Sequence, residues 1–354
     1  MDTVSETAAA PGSLRPGQLV EVRSDAEILG TLDADGRIDG LPFMPEMLAF
    51  SGRTFRVSKR ADKTCDTVNH TTGLRRLRGT VHLEATRCDG SAHGGCQAAC
   101  LLFWKEAWLR PIEDARSVEE ASEVGAQPSM GARGMSPDGA HPMLPMLIHL
   151  TQRPTAGSPD VERYFCQATE LPAASRPLPW WDPTQYVRDV RSGNVSVTGA
   201  LAGLCRWAFV KFQAKILRGG GIPFVHGRLA RTPVEVLDLH PGERVRVKSK
   251  NQIEQTLDRG NRNRGLSFDS EFLPYCGREF VVRSRVERII DELTGRMIQL
   301  DSDCLILEDV VCGARYHRFC PRQIYPYWRE IWLTRISPTA DAAKDETETG
   351  AMAR

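Results

Sequence analysis

The chain carries one pattern twice, and that duplication limits the fold more than any other feature. Cys88, His93 and Cys96 are followed by Trp104-Lys105-Glu106-Ala107-Trp108, and Cys312, His317 and Cys320 by Trp328-Arg329-Glu330-Ile331-Trp332, at identical internal distances. Upstream, residues 17–60 align without a gap to residues 242–285, with 19 of 44 positions identical. Self-similarity at a fixed period means that one supersecondary unit is built twice. Any fold proposed for one copy must therefore suit the other.

Each copy opens with Pro-Gly and an alternating run, Leu19-Val-Glu-Val-Arg23 and Arg244-Val-Arg-Val-Lys248. Apolar and polar residues in strict alternation describe a half-buried strand. Further strands are expected at Arg53–Ser58, Val81–Ala85 and Cys304–Val310, with glycine turns between them. About five short strands in fewer than 100 residues suggest a small closed barrel, SH3-like, with an OB-like barrel as the alternative. The Trp-x3-Trp tail fits a strand or a helix, because residues i and i+4 share a face in both.

Between the copies the composition changes. Residues 161–232 read as helical: Val161–Leu171 as one segment, Asp182-Pro183 as a helix start, and a helix over Val197–Leu217 with Leu201, Leu204, Phe212 and Ile216 on one face. The expected organisation is mainly β with a helical insert (α+β): a disordered N-terminus at 1–15, barrel modules at 16–112 and 233–337, a flexible linker at 113–160, the helical segment at 161–232, and a disordered tail at 338–354. Net charge is +1, which argues against a polybasic nucleic-acid binder. No apolar run approaches the length needed to span a bilayer, and the N-terminus lacks a secretory pattern. The ten Cys are then expected in a reducing cytoplasm, as metal ligands or reactive thiols.

The chemistry is expected at the repeated trio. Thiolate and imidazole are the ligands Zn2+ prefers, so Cys88, His93 and Cys96, and Cys312, His317 and Cys320, are the candidate ligands. Cys65 or Cys100 would complete the first site and Cys276 or Cys304 the second. A structural ion fits a duplicated module better than a catalytic one. The competing reading makes Cys96 a nucleophile beside His93. The repeated carboxylates Asp33/Asp258, Glu46/Glu271, Glu84/Glu308 and Glu106/Glu330 are expected to pair with the repeated Arg53/Arg278 and Arg60/Arg285 rather than to act as acid–base groups. The repeated Trp residues suit a core better than a stacking platform.

The segments Tyr275-Cys-Gly-Arg-Glu-Phe-Val-Val282, Cys320-Pro-Arg-Gln-Ile-Tyr-Pro-Tyr-Trp-Arg-Glu-Ile-Trp-Leu333 and Gly40-Leu-Pro-Phe-Met-Pro-Glu-Met47 resemble a group of bacterial proteins associated with biosynthetic gene neighbourhoods. The resemblance implies the module boundaries and carries no activity or ligand with it. The function expected is a metal-stabilised binding or scaffold protein, meeting a protein partner or a small-molecule ligand. The alternative is a metal- or thiol-dependent biosynthetic enzyme centred on His93 and Cys96.

Overall fold

Strand pairing follows the repeat. A computed structural model of the chain describes residues 13–68, 73–112, 144–155, 158–216 and 224–336. The fold mixes α and β, with mostly antiparallel sheets and few helices. It divides into two compact units. Unit 1 comprises Met1–Ala200 with Ile290–Ile298 and Phe319–Arg322, and unit 2 comprises Leu201–Ile289, Gln299–Arg318 and Gln323–Arg354. Two short segments of the second repeat therefore belong to unit 1.

In unit 1, Leu19–Val22 lies between Thr54–Arg60 and Leu109–Pro111, and Thr80–Leu83 and Trp104–Lys105 continue the sheet beyond Thr54–Arg60. Val20 and Val22 point into the core and are fully buried, as the alternation predicts. The two edge strands are separated only by the 3-10 turn Glu106–Trp108. Three residues span at most about 10 Å, so the sheet must roll until its edges nearly meet. Among the described residues no sheet closes into a barrel; the observed form is a rolled, open sheet. In unit 2, Arg244–Val247 lies between Glu279–Ile290 and Leu333–Arg335, and Leu305 bridges Trp328 as Val81 pairs with Trp104.

The repeated residues explain why both copies fold alike. All four Trp of the tails are fully buried. Phe43 meets Trp104 and Trp108 edge-on, and Phe268 meets Trp328 and Trp332 in the same way, the geometry that aromatic quadrupoles favour. The indole N–H of Trp108 donates to Thr31 Oγ1 at 3.2 Å and that of Trp332 to Thr256 Oγ1 at 3.0 Å. Arg60 pairs with Glu106 at 2.7 Å and donates to Leu14 O; Arg285 pairs with Glu330 at 3.0 Å and donates to Leu239 O. Glu330 also accepts the N–H groups of Leu237, Asp238 and Leu239. Each Arg–Glu pair thus fastens the segment that leads into its first strand. Asp33 and Asp258 accept N–H groups of their own turns, so these carboxylates serve the fold.

Two expectations about the inter-repeat region change. Ser158–Tyr164 is a strand paired with Gln152–Thr155, whereas the sequence predicts helix over Val161–Leu171. Pairing with a neighbouring strand overrides a modest helix preference, and helix resumes only at Leu171–Ala174. Thr184–Arg191 and Val197–Ile216 are helices; the former has Pro183 as its N-cap residue, and Asp182 Oδ1 just before it accepts from Thr184 N at 2.9 Å. The apolar face of Val197–Ile216 is exposed, with Leu201, Leu204, Phe212 and Ile216 each 58–63% accessible. Most of the linker expected at 113–160, namely 113–143, lies outside the described residues, as do 1–12 and 337–354. Gln152–Thr155 and Ser158–Tyr164 in its remainder are ordered strands. No described helix is long and apolar enough to cross a membrane.

Candidate metal centre

The loop 88–100 is pinned at its neck. Cys88 N donates to Cys100 O at 2.9 Å and Leu102 N to Thr86 O at 3.1 Å, while Arg87 bridges Leu101. Cys88 and Cys100 are therefore neighbours across a short antiparallel ladder. Within the loop, His93 N and Gly95 N both donate to Gly90 O, at 3.1 and 2.9 Å. Gly90 has φ +73° and a Cβ there would stand 2.1 Å from Cys96 O. Only glycine meets both demands cheaply. Thr151 Oγ1 donates to Ala92 O at 3.1 Å, fixing the loop from outside.

This folding brings His93 Nε2 to 3.3 Å from Cys88 Sγ. The other ring nitrogen, Nδ1, lies 3.8 Å from Glu46 Oε1. Glu46 enters from the 3-10 turn Pro45–Phe50, far upstream of the knot in sequence. Ligand atoms of Glu46, Cys88 and His93 all lie within 4.8 Å of one another. The Glu46 and His93 side chains are 3% and 2% exposed, yet both Glu46 oxygens and His93 Nδ1 lack a hydrogen-bond partner. Burial pushes the Glu46 carboxyl above its ordinary value, against the favourable pull of His93. It pushes the Cys88 thiol up strongly as well.

The same three residues converge in unit 2 as Glu271, Cys312 and His317. There His317 Nδ1 is 3.5 Å from Cys312 Sγ and Nε2 is 3.6 Å from Asp269 Oδ2. Glu271 accepts from Tyr316 N. The second site is more open, with the His317 side chain 43% exposed. The Asp269 carboxylate, followed by Cys312, raises His317 to about 11.

The remaining expected ligands fall elsewhere. Cys96 Sγ accepts from Ile290 N at 3.4 Å and Cys320 Sγ from Cys65 N at 3.0 Å. Cys65 and Ile290 are themselves equivalent positions of the repeat, so the second Cys of each trio makes the same backbone contact. Cys96 lines the cavity described next, but neither it nor Cys320 joins the Cys–His pair as a third close ligand. Cys276 and Cys304 are not part of the Glu271–Cys312–His317 group. Cys312 N donates to Ile324 O at 2.8 Å, so isoleucine stands in unit 2 where Cys100 stands in unit 1.

A cavity of ≈ 40 Å³ adjoins the first site, lined by Glu46, Cys88, His93, Cys96, Cys100 and Cys166 among others. Such a volume admits two or three waters or one ion. Cys166, from the inter-repeat segment, went unnoticed in the sequence because it has no counterpart in the other copy. Glu46 was noticed as a repeated carboxylate but not as a member of the site. Its signal was identity with Glu271 in the duplication.

No family model, curated protein or solved structure matches this chain.

Proposed function

We propose that this chain is a metal-stabilised binding or scaffold protein in which each repeat seats a Zn2+-class ion at its Cys–His pair, beside its glutamate. The supporting observation is the convergence of Glu46, Cys88 and His93 in one unit and Glu271, Cys312 and His317 in the other. A buried carboxylate without partners is costly, and a cation offsets that cost. The pairing of first and last strands and the short link between the edge strands favour an SH3-like module over an OB-like one. Ten cysteines, all free thiols, suit the cytoplasm, and the exposed faces suit a protein partner or a small-molecule ligand.

A second reading has one observation in its favour. The order Cys88–His93–Glu46, with thiol and carboxylate on opposite ring nitrogens, is that of a nucleophile, base and orienting acid. It would move the expected nucleophile from Cys96 to Cys88. Burial that raises the Cys88 thiol is the reverse of what an activated thiolate needs, which favours the metal.

Thermal unfolding with and without chelator tests the choice. Stripping the ion from wild type is expected to lower its melting temperature by about 10 °C, since structural zinc contributes several kcal/mol and each is worth about 2–4 °C here. The double variant Cys88→Ser with Cys312→Ser should melt at the lowered temperature in either condition. Complete removal of metal with unchanged melting would refute the stabilising role. A metal-free wild type whose Cys88 is alkylated first and fastest would favour the thiol reading.

A further inference from the structure

The last cysteine of each trio meets a backbone N–H of the other repeat, but only one of the two contacts brings a second thiol. Cys96 Sγ accepts from Ile290 N, whereas Cys320 Sγ accepts from Cys65 N at 3.0 Å. The Cys65 and Cys320 side chains also hydrogen-bond one another. The segment Phe319–Arg322, which belongs to unit 1, is held on both sides of Cys320. Lys63 Nζ stands 5.8 Å from the centre of the Phe319 ring, and Arg322 donates to Thr67 Oγ1 at 3.0 Å while pairing with Glu292 at 2.9 Å. Phe319, Cys320 and Arg322 thus face Lys63, Cys65 and Thr67 in the same order. An N–H on Sγ at this distance leaves the two Cα atoms at most about 7 Å apart, within reach of a disulfide.

We propose that Cys65 and Cys320 are a reversible redox pair that takes a low-molecular-weight disulfide as its substrate and closes to an internal disulfide. Neither residue belongs to the Glu–Cys–His groups, so the pair stands apart from the metal reading. Cys65 is half-buried and Cys320 is 8% exposed, so a small disulfide meets Cys65 first. The Cys65 thiolate attacks one sulfur of RSSR, forming Cys65–S–SR and releasing RS−. The Cys320 thiolate then attacks the Cys65 sulfur, forming the internal bond and releasing a second RS−. The two protons lost by the cysteines pass to the two departing thiolates, so the protein gives up two electrons and RSSR becomes two thiols. The buried Arg322 guanidinium feels both Cys65 and Cys320, and a positive charge beside a thiol favours the thiolate. Burial, with the hydrogen bond to Cys65 next, pushes the Cys320 thiol well up, which suits the second, resolving thiol. An accessible cysteine beside a resolving one is the arrangement found in redox sensors. The matching contact in the other direction offers Ile290 in place of Cys65, so Cys96 has no such thiol at that contact.

The test uses the full chain, reduced, exposed to oxidised glutathione and alkylated at its remaining thiols before digestion. Mass spectrometry should find one peptide pair joined through Cys65 and Cys320, and reduction should separate it. On a non-reducing denaturing gel the closed chain should run ahead of the reduced one, because the bond encloses most of the sequence. That shift should vanish in Cys65→Ser and in Cys320→Ser and persist in Cys96→Ser. Cys320→Ser should instead accumulate glutathione on Cys65, where the exchange then stops. Wild type in which Cys65 and Cys320 are both alkylated after oxidation, or in which Cys65 keeps glutathione while Cys320 stays free, overturns the proposal. Should a variant fail to fold, the wild-type peptide map decides alone. It is repeated with oxidation carried out in urea, where the pairing should be lost. A Cys65–Cys320 yield no higher in the folded chain than in urea would show that the fold does not set the pair.

Discussion

Replacing His82 with leucine should flatten the acid limb of the stability curve of unit 1. His82 is fully buried on Thr80–Leu83, and its Nδ1 lies 2.8 Å from Leu102 O. A carbonyl only accepts, so Nδ1 carries the proton and Nε2 is left bare, without a partner. Burial holds this imidazole down to about 4 from an ordinary 6.5, against the Leu102 hydrogen bond, with Arg322 and Arg87 lowering it further. The folded value lies below the unfolded one, so the unfolded chain takes up the proton first as pH falls. The contribution of neutral His82 is therefore complete above about pH 6.5 and is lost between 6.5 and 4. A shift of that size corresponds to about 3 kcal/mol, or roughly 6–12 °C in melting temperature for a unit of this size. Urea or thermal unfolding of wild type and His82→Leu from pH 7.5 to 4 measures it. Subtracting the curves cancels groups common to both, including Asp189, which burial raises to about 6 despite its contact with Lys63. The stability difference should narrow by about 3 kcal/mol toward pH 4. Parallel curves would show that the burial argument for His82 is wrong.

Further outcomes follow from the duplicated core. Trp104 Nε1 donates to Thr86 Oγ1 at 3.0 Å, whereas Trp328 Nε1 is buried without a partner and Val310 occupies the equivalent of Thr86. Thr86→Val should cost about 1–3 kcal/mol, and Val310→Thr should stabilise unit 2 by about 1 kcal/mol in chemical denaturation. Glu330→Ala removes the acceptor for three N–H groups and for Arg285, and should cost about 3–5 kcal/mol, with earlier proteolysis near residues 237–239. Gly90→Ala places a Cβ against Cys96 O at positive φ; metal content after purification should fall sharply while far-ultraviolet dichroism stays near wild type.

Much of the fold was legible because the repeat acts as its own control. Positions identical in both copies, such as Val20/Val245, Thr31/Thr256, Phe43/Phe268 and Arg60/Arg285, proved to be core or fastening residues, since both copies must satisfy the same contacts. The site was only half legible. Spacing singled out Cys88 and His93, whose side chains come to 3.3 Å from one another, but it could not show that Cys96 turns to Ile290 N, because that contact joins residues 194 apart in sequence. Glu46 and Cys166 reach the cavity by tertiary packing alone, which local spacing does not record. The strand Ser158–Tyr164 is hidden for a similar reason, as its partner strand Gln152–Thr155 sits in a stretch whose composition suggests a linker.

Zinc content per chain, measured on protein purified under reducing conditions without added metal, tests the central claim most directly. Two equivalents are expected in wild type, one in each of Cys88→Ser and Cys312→Ser, and none in the double variant. A wild-type chain that carries no metal and binds none on titration would contradict the account.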